Sequence, residues 1–362
     1  MGAETKVLDE RTEIASRVLP IIDLSAARGN DSAAKRELAD QLDRAFSSSG
    51  FCYITNYGVA QSVINDAFTE AAKFFHAPVE EKLKLVPTAE TMFRGWLSDT
   101  RKYRTFFDFD SGAPTADTKN QSVGGKENYV FGAENPRRTL ASSTTGWPSG
   151  PNPWPQDLPA FSAKSYTFFE EMQKVGADIL SMLAIAMGVE ETFFRQRYGK
   201  DEDTSSGVYA YYPSLTPAEV NAGKQSLPGH CDFSCLSLVV QHGVGGLQVQ
   251  ERGSEAWVDA PPLPGTIVAN VGDLLARWSN DRYVSSLHRV MNTAGRERFS
   301  FILGYNPKAT ATIDPRELRV SDKDCRHAPI LAGKYMWARA METGATDEDI
   351  AAAKQAEHAP IS

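Results

Sequence analysis

The chain of 362 residues is poor in cysteine, lacks a basic excess and lacks any long apolar run. Each shortage removes a class of protein. Its four cysteines, Cys52, Cys231, Cys235 and Cys325, are too few to staple a chain of this length with disulfides. Cys231 and Cys235 stand four apart with no second pair to complete a structural zinc site, so all four read as buried or half-buried free thiols. Lysine and arginine number 38 against 46 aspartate and glutamate, a net charge of −8 with a pI near 5.4. That balance excludes the basic face of a nucleic-acid binder. No apolar run reaches the roughly 18 residues of a membrane span. The opening M-G-A-E-T-K-V-L-D-E-R-T-E has no apolar core, so no secretory signal is expected, and Lys6 stands where a myristoylation signal needs Ser or Thr. The expectation is a cytoplasmic protein with no membrane partner. Its hydrophobic content of 41% and charged content of 23% are those of an ordinary globular chain.

What is there changes character near Ser206. Residues 1–17 read as a flexible lead-in, and V-L-P-I-I-D-L (18–24) as a short strand. Leu38, Leu42, Ala45 and Phe46 recur at helical spacing within 33–49, and Gly50 stops that helix. F-C-Y-I-T-N (51–56) is β-rich. A second amphipathic helix covers 60–76, and P-V-E-E-K (78–82) starts a fresh turn. Residues 87–155 read as a long irregular region with short strands at F-R-G-W (93–96) and R-T-F-F-D-F-D (104–110). Such regions in compact domains are often lids or substrate loops. Arg94, Arg101 and Lys126 are candidates there for lining a substrate entrance, and solvated surface charge is the competing reading. Helices are expected at 158–187, ended by Gly188, at 190–198 and at 331–343.

From Ser206 onward short β-rich runs follow about ten residues apart: G-V-Y-A-Y-Y, L-S-L-V-V-Q, G-L-Q-V-Q, A-W-V-D-A, G-T-I-V-A-N-V, Y-V-S-S-L-H-R-V and R-F-S-F-I-L-G-Y. Regular short strands with Gly and Pro turns indicate a sandwich or barrel. Within them lie the residues that carry chemistry. His230 and Asp232 are one residue apart, so on a strand both face the same side and Cys231 the other. His288 follows in L-H-R-V, and Arg298 and Ser300 in R-F-S. Two imidazoles and one carboxylate can occupy one face of Fe(II) and leave the other face open for substrate and dioxygen. A 2-oxoacid can chelate through its keto and C1 oxygens, and its far carboxylate then needs a buried partner. A guanidinium suits that role because it stays charged and binds carboxylate bidentately. Alternation puts Ser300 on the same face as Arg298. Each piece alone is weak, since an isolated His is more often structural. The five in order, inside one run of strands, reinforce one another. Zinc with hydrolytic chemistry is a competing reading of the same ligands, as is a binding module without catalysis.

The segments P-G-H-C-D-F-S-C-L-S-L-V-V-Q, V-G-G-L-Q-V, W-V-D-A-P-P-L-P-G-T-I-V-A-N-V-G-D-L-L and R-E-R-F-S-F-I-L-G-Y-N-P resemble the isopenicillin N synthase-like branch of the 2-oxoglutarate- and Fe(II)-dependent dioxygenases. The resemblance spans 18–340 and is strongest over 207–307. It implies a double-stranded β-helix (jelly roll) core flanked by helices, an α+β fold. The regions would be an N-terminal helical part at 18–205 packed on the core, the catalytic core at 206–310, and a C-terminal segment and helix at 311–362, all in one compact unit. It implies iron ligands at His230, Asp232 and His288 and cosubstrate anchors at Arg298 and Ser300. It adds Tyr212, from Y-A-Y-Y-P, where Ala210 replaces a common Asn of the family pattern. Fe(II), 2-oxoglutarate and dioxygen would serve, with ascorbate stimulating. A small organic molecule, expected to belong to specialised metabolism, would be hydroxylated, desaturated or rearranged, with release of succinate and carbon dioxide. A cosubstrate-independent oxidase of the isopenicillin N synthase type uses the same residues and is the alternative. Asp273 reads as a structural hydrogen-bonding partner, His242 as a turn residue and His76 as a packing residue. Gly304 either widens the pocket or permits a close backbone approach. The pattern carries no signal of oligomeric state.

Overall fold

The computed structural model describes residues 19–342 apart from 89–90, 92, 99–104, 109–112, 117–124, 135–149 and 200–202. The lead-in, Arg101 and His358 lie outside the described residues.

Helical periodicity in the N-terminal part becomes two amphipathic helices, α1 (Ser32–Ser48) and α2 (Gln61–His76). The Asp31 carboxylate caps α1 by accepting from the N–H groups of Ala33 and Ala34 at 2.8 and 3.1 Å. Gly50 ends it at φ +72°, and a Cβ there would lie 1.9 Å from the Val284 carbonyl oxygen, so a side chain is excluded by conformation and by space. The short helix α3 (Val79–Leu83) follows Pro78. The long helix α4 (Pro159–Ala186) has proline in its first turn, where the missing N–H costs nothing. Glu190–Tyr198 does not form the expected α-helix. It is a turn followed by a 3-10 segment at Arg195–Arg197, since a run this short between Gly188 and Gly199 cannot repay helix nucleation.

The strands are β1 (Ile21–Asp23), β2 (Phe51–Thr55), β3 (Gly95–Ser98), β4 (Thr105–Asp108), β5 (Ala113–Ala116) and β6 (Glu127–Gly132). They continue as β7 (Ser206–Tyr212), β8 (Leu227–His230), β9 (Leu236–Gln241), β10 (Leu247–Gln250), β11 (Trp257–Asp259), β12 (Ile267–Val271), β13 (His288–Val290) and β14 (Arg298–Tyr305). A main sheet of eight strands runs in the order β1-β2-β12-β9-β14-β7-β6-β3, and a smaller one of four in the order β11-β10-β13-β8. The two sheets make the double-stranded β-helix, and with its helices the fold is α+β.

Two further expectations need correction. The 87–155 region is not irregular throughout, because β3 and β6 extend the main sheet beyond β7. Of Y-V-S-S-L-H-R-V only the last three residues are strand. Upstream, Val284 donates its N–H to the Phe46 carbonyl and the Ser286 hydroxyl bonds the Ser49 carbonyl, so those groups tie the loop to the end of α1.

Alternation divides the main sheet into two faces. Tyr129, Phe131, Tyr209 and Phe301 point outward and interlock with Phe68, Phe74, Phe161 and Phe168 of α2 and α4. The opposite face carries Ser300, Arg298, Gln241 and Asn270 toward the smaller sheet.

One buried ion pair fastens β6 to the helical layer. The Lys82 ammonium donates to the Glu127 carboxylate at 2.8 Å and to the Phe75 carbonyl at 2.9 Å, and the Trp96 indole donates to the same carboxylate at 2.8 Å. Lys82→Met, which leaves a buried carboxylate without its cation, is expected to lower stability by roughly 3–5 kcal/mol in chemical denaturation. Adding Glu127→Gln should recover part of the loss; equal stability of wild type and Lys82→Met would show that water already compensates the pair.

Candidate metal and cosubstrate site

β8 and β13 pair antiparallel, and their register sets His230 opposite His288. The imidazole centroids are 4.3 Å apart. Asp232 lies just past β8, held by two contacts: its carbonyl accepts from the Asp273 N–H at 2.7 Å, and its Oδ2 accepts from the Asn270 amide at 2.8 Å. Gly272 lets this corner close, since a Cβ there would lie 2.1 Å from the Ser234 carbonyl oxygen. The donor atoms of His230, Asp232 and His288 all lie within 4.8 Å of one another, and no other such cluster occurs among the described residues.

The tautomers follow from the backbone. His230 Nδ1 is 2.9 Å from the Pro228 carbonyl and His288 Nδ1 is 3.2 Å from that of Ser286. A carbonyl only accepts, so each Nδ1 carries the proton and each Nε2 presents a lone pair. Those lone pairs stand 3.8 and 3.6 Å from Asp232 Oδ1. Three electron-rich atoms thus converge with no proton among them, an arrangement that a divalent cation relieves. Partial burial and then the neighbouring His288 push the His230 imidazole down to about 4, against the opposing pull of Asp232. Burial by itself would raise the Asp232 carboxyl, but His288, His230, Asn270 and Ser237 outweigh it and hold it below the usual carboxylate range. Near neutral pH His230 and Asp232 are therefore in the forms that bind metal. The Phe51 ring stands edge-on to His288 at 5.4 Å and fixes its plane.

The second half of the site is on β14. Arg298 is 1% exposed. Its Nη1 donates to Ser300 Oγ at 3.1 Å and its Nη2 to Gln241 Oε1 at 3.2 Å, while its Nε has no partner. Tyr212 is opposite Arg298 in the register, and its ring lies 4.9 Å from the guanidinium carbon. Among the described residues no carboxylate pairs with Arg298, and a buried cation without a counter-ion is costly. The surroundings fit an anionic ligand with oxygen atoms to accept from a guanidinium. Burial pulls the Arg298 pKa down from its ordinary value, opposed by Tyr212.

The structure thus brings together the two histidines and Asp232, and separately Arg298, Ser300 and Tyr212. Asn270 and Gln241, which orient these groups, were not singled out from sequence. Asn270 carried a signal, being the one polar side chain in the apolar run I-V-A-N-V. Asp273 has the structural role expected of it and accepts from Arg339 at 2.7 Å, tying α5 (Asp273–Trp278) to the C-terminal helix α6 (Ala332–Glu342). Arg94 does not line an entrance: it is spent on the carbonyls of Ala133 and Gly150. His242 stacks on Phe68 at 4.6 Å, and His76 meets Glu297 at 2.9 Å. A Cβ at Gly304 would lie 3.2 Å from the Ser206 Oγ, a side-chain neighbour.

Comparison with known proteins agrees with this geometry. The 2OG-Fe(II) oxygenase superfamily pattern matches residues 191–307, and the N-terminal pattern of non-haem dioxygenases in morphine synthesis matches 19–157. The chain belongs to the 2-oxoglutarate- and Fe(II)-dependent oxygenase superfamily and is a 2-oxoglutarate- and Fe(II)-dependent dioxygenase acting on small molecules. Among its relatives is the 2-oxoglutarate-Fe(II) type oxidoreductase hxnY of Emericella nidulans, 33% identical over 297 residues that cover 80% of each chain. Another is a 2-oxoglutarate-Fe(II) type oxidoreductase of Aspergillus fumigatus, 30% identical over 319 residues, 86% of this chain and 88% of that one. A full-length Neurospora crassa protein, crystallised in complex with alpha-KG and thymine, superposes with a TM-score of 0.76 at 27% identity, over 90% of this chain and 97% of that one. No helix of the described residues is long and apolar enough to cross a membrane.

The depressed His230 pKa has a consequence without metal. Its imidazole is neutral in the fold and protonates more readily when unfolded, so its contribution to stability is full above about 6.5 and is lost as pH falls toward about 4. Thermal melts in chelator should show stability declining across that window, with the decline reduced in His230→Asn. An identical pH profile for the variant would mean that other groups carry the dependence.

Proposed function

We propose that His230, Asp232 and His288 hold Fe(II), that Arg298, Ser300 and Tyr212 receive the far carboxylate of 2-oxoglutarate, and that the enzyme oxidises a C–H bond of a small organic molecule in specialised metabolism. The outcome is hydroxylation, desaturation or oxidative rearrangement. The convergence of two imidazole lone pairs on one carboxylate oxygen carries this reading, since it favours a cation and leaves one side open to other ligands. When bound, iron with dioxygen and 2-oxoglutarate supplies the oxidation of an unactivated C–H bond, with succinate and carbon dioxide released.

The chain's own residues do the positioning. Asn270 holds one oxygen of Asp232, so the other is aimed between the imidazoles. The Pro228 and Ser286 carbonyls keep both Nε2 atoms unprotonated. Gln241 and Ser300 fix the Arg298 guanidinium before the cosubstrate arrives, so little freedom is lost on binding. Tyr212 walls one side of it. On this reading residues 206–310 form the catalytic core, 18–205 is the N-terminal helical region and 311–362 the C-terminal segment with its helix; cytoplasm is the expected compartment.

Succinate formation under air, with Fe(II) and ascorbate, tests the assignment. His230→Ala should abolish both succinate formation and tight Mn(II) binding. Arg298→Met should bind Mn(II) as wild type does but raise the KM for 2-oxoglutarate by about 30-fold or more, the equivalent of roughly 2 kcal/mol. Unchanged metal affinity in His230→Ala, Asp232→Ala and His288→Ala would remove the site. Iron-loaded protein that makes no succinate with any substrate would instead favour the cosubstrate-independent oxidase.

A further inference from the structure

The two ends of the site are joined through one short loop. His288 lies on β13 of the smaller sheet, Arg298 opens β14 of the main one, and residues 291–297 connect them. The span between the His288 imidazole and the Arg298 guanidinium therefore depends on how that loop is held. Asn292 is its anchor, with 0% exposure. Its side-chain amide donates to the Arg296 carbonyl at 2.9 Å and to the Pro213 carbonyl at 3.2 Å, and stands 3.5 Å from the Tyr212 carbonyl. The first contact closes the loop on itself two residues before Arg298. The second ties it to the chain just past β7, whose last residue, Tyr212, pairs with Arg298.

The backbone of Asn292 is fastened to the other sheet. Its N–H donates to Ser226 Oγ at 3.1 Å, and the Ser226 N–H donates to the Val290 carbonyl at 2.9 Å. Ser226 is buried and directly precedes β8, the strand that ends at His230. One residue thus joins the strands of both histidines to the strands of Tyr212 and Arg298. Asn292 Oδ1 is buried without a hydrogen-bond partner. The fold keeps an amide here at the cost of an idle acceptor, because an amide NH2 can donate to two carbonyls at once.

We propose that Asn292 is a positioning residue that fixes the span between the metal ligands and the Arg298 guanidinium, and that this span selects 2-oxoglutarate over its longer homologue 2-oxoadipate. The proposal rests on the iron and 2-oxoglutarate assignment above and adds what sets the length of the cosubstrate. A ligand held at both ends reports the separation of its holders, and one methylene more leaves either the chelating end or the far carboxylate out of register. Gln241 and Ser300 aim the guanidinium but stand on the main sheet with it, so they do not set its distance from groups on the smaller sheet. A clamp formed before the ligand arrives costs no ordering on binding. Without it the Pro213 and Arg296 carbonyls lose their donor, and the loop moves to find water or another partner.

The test is calorimetric titration of the full Mn(II)-loaded chain with 2-oxoglutarate and with 2-oxoadipate. Wild type should bind 2-oxoglutarate about tenfold or more tighter, a difference of about 1.4 kcal/mol. Asn292→Ala should shrink that ratio to about threefold or less while binding Mn(II) as wild type does. Ser226→Ala keeps the amide and loosens its tie to β8. It should shrink the ratio by less, and it carries the test if Asn292→Ala does not fold. Lys82→Met, weakened at the ion pair between β6 and the helical layer, should keep the wild-type ratio, which separates lost stability from lost span. An unchanged ratio in folded Asn292→Ala (or in Ser226→Ala where the former does not fold), an equal fall in Lys82→Met, or no length preference in wild type would each overturn the proposal. Wild type that binds neither Mn(II) nor 2-oxoglutarate would sink the earlier assignment and this proposal with it.

Discussion

Three electron-rich atoms are forced together at the meeting of the two sheets, and the surrounding structure can be read as what makes that tolerable. The β8–β13 register brings the imidazoles opposite each other. Two backbone carbonyls claim their Nδ1 protons, so neither ring can relieve the repulsion by moving a proton to Nε2. Asn270, rooted in the apolar strand β12, pulls one oxygen of Asp232 away and leaves the other facing the rings. The corner at Gly272 is packed too closely for any side chain. Preorganisation of this kind stores an unfavourable interaction in the metal-free fold and releases it when a cation binds.

The Arg298 end is the complementary case. There the excess is positive, and the groups around it are neutral acceptors and an aromatic face, which orient a guanidinium without neutralising it. A carboxylate neighbour would have satisfied Arg298 permanently and closed the site to an anionic ligand. Opposite charge imbalances thus stand on two different sheets: converging electron-rich atoms at β8 and β13 of the smaller one, and a buried cation without a counter-ion on β14 of the main one.

Much of this was legible in the sequence because the reacting groups sit on regular strands. Arg298 and Ser300 share a face through period-2 alternation on β14, whereas His230 ends β8 and Asp232, expected on the same strand face, lies just past it and is placed by Asn270 and the Asp273 N–H instead; the amphipathic helices declared themselves through Leu38, Leu42 and Phe46 and through Phe68, Phe74 and Phe75. Gly50 and Gly188 marked helix ends for a reason the backbone confirms, both having positive φ. What stayed hidden depends on contacts distant in sequence. β3 and β6 are short and lie in a region rich in breakers, and they become strands by extending a sheet through β7, which follows only after the whole of α4. The β-rich run before His288 fails as a strand because its polar groups are taken by α1 and the residues just after it. Gln241 reads as an ordinary strand end in the sequence, and only the fold sets the Arg298 guanidinium against it.

The main sheet interleaves early and late parts of the chain: β1, β2, β3 and β6 precede α4, whereas β7, β9, β12 and β14 follow it. During synthesis β2 and β6 emerge well before their later partners β12 and β7, and β14, which joins β7 to β9, is the last strand of that sheet to be made. The same strand carries Arg298 and Ser300. Completion of the sheet and arrival of the Arg298 guanidinium are therefore one event in the life of the nascent chain, and a ribosome stalled before residue 298 would hold a polypeptide with exposed strand edges and without that buried cation.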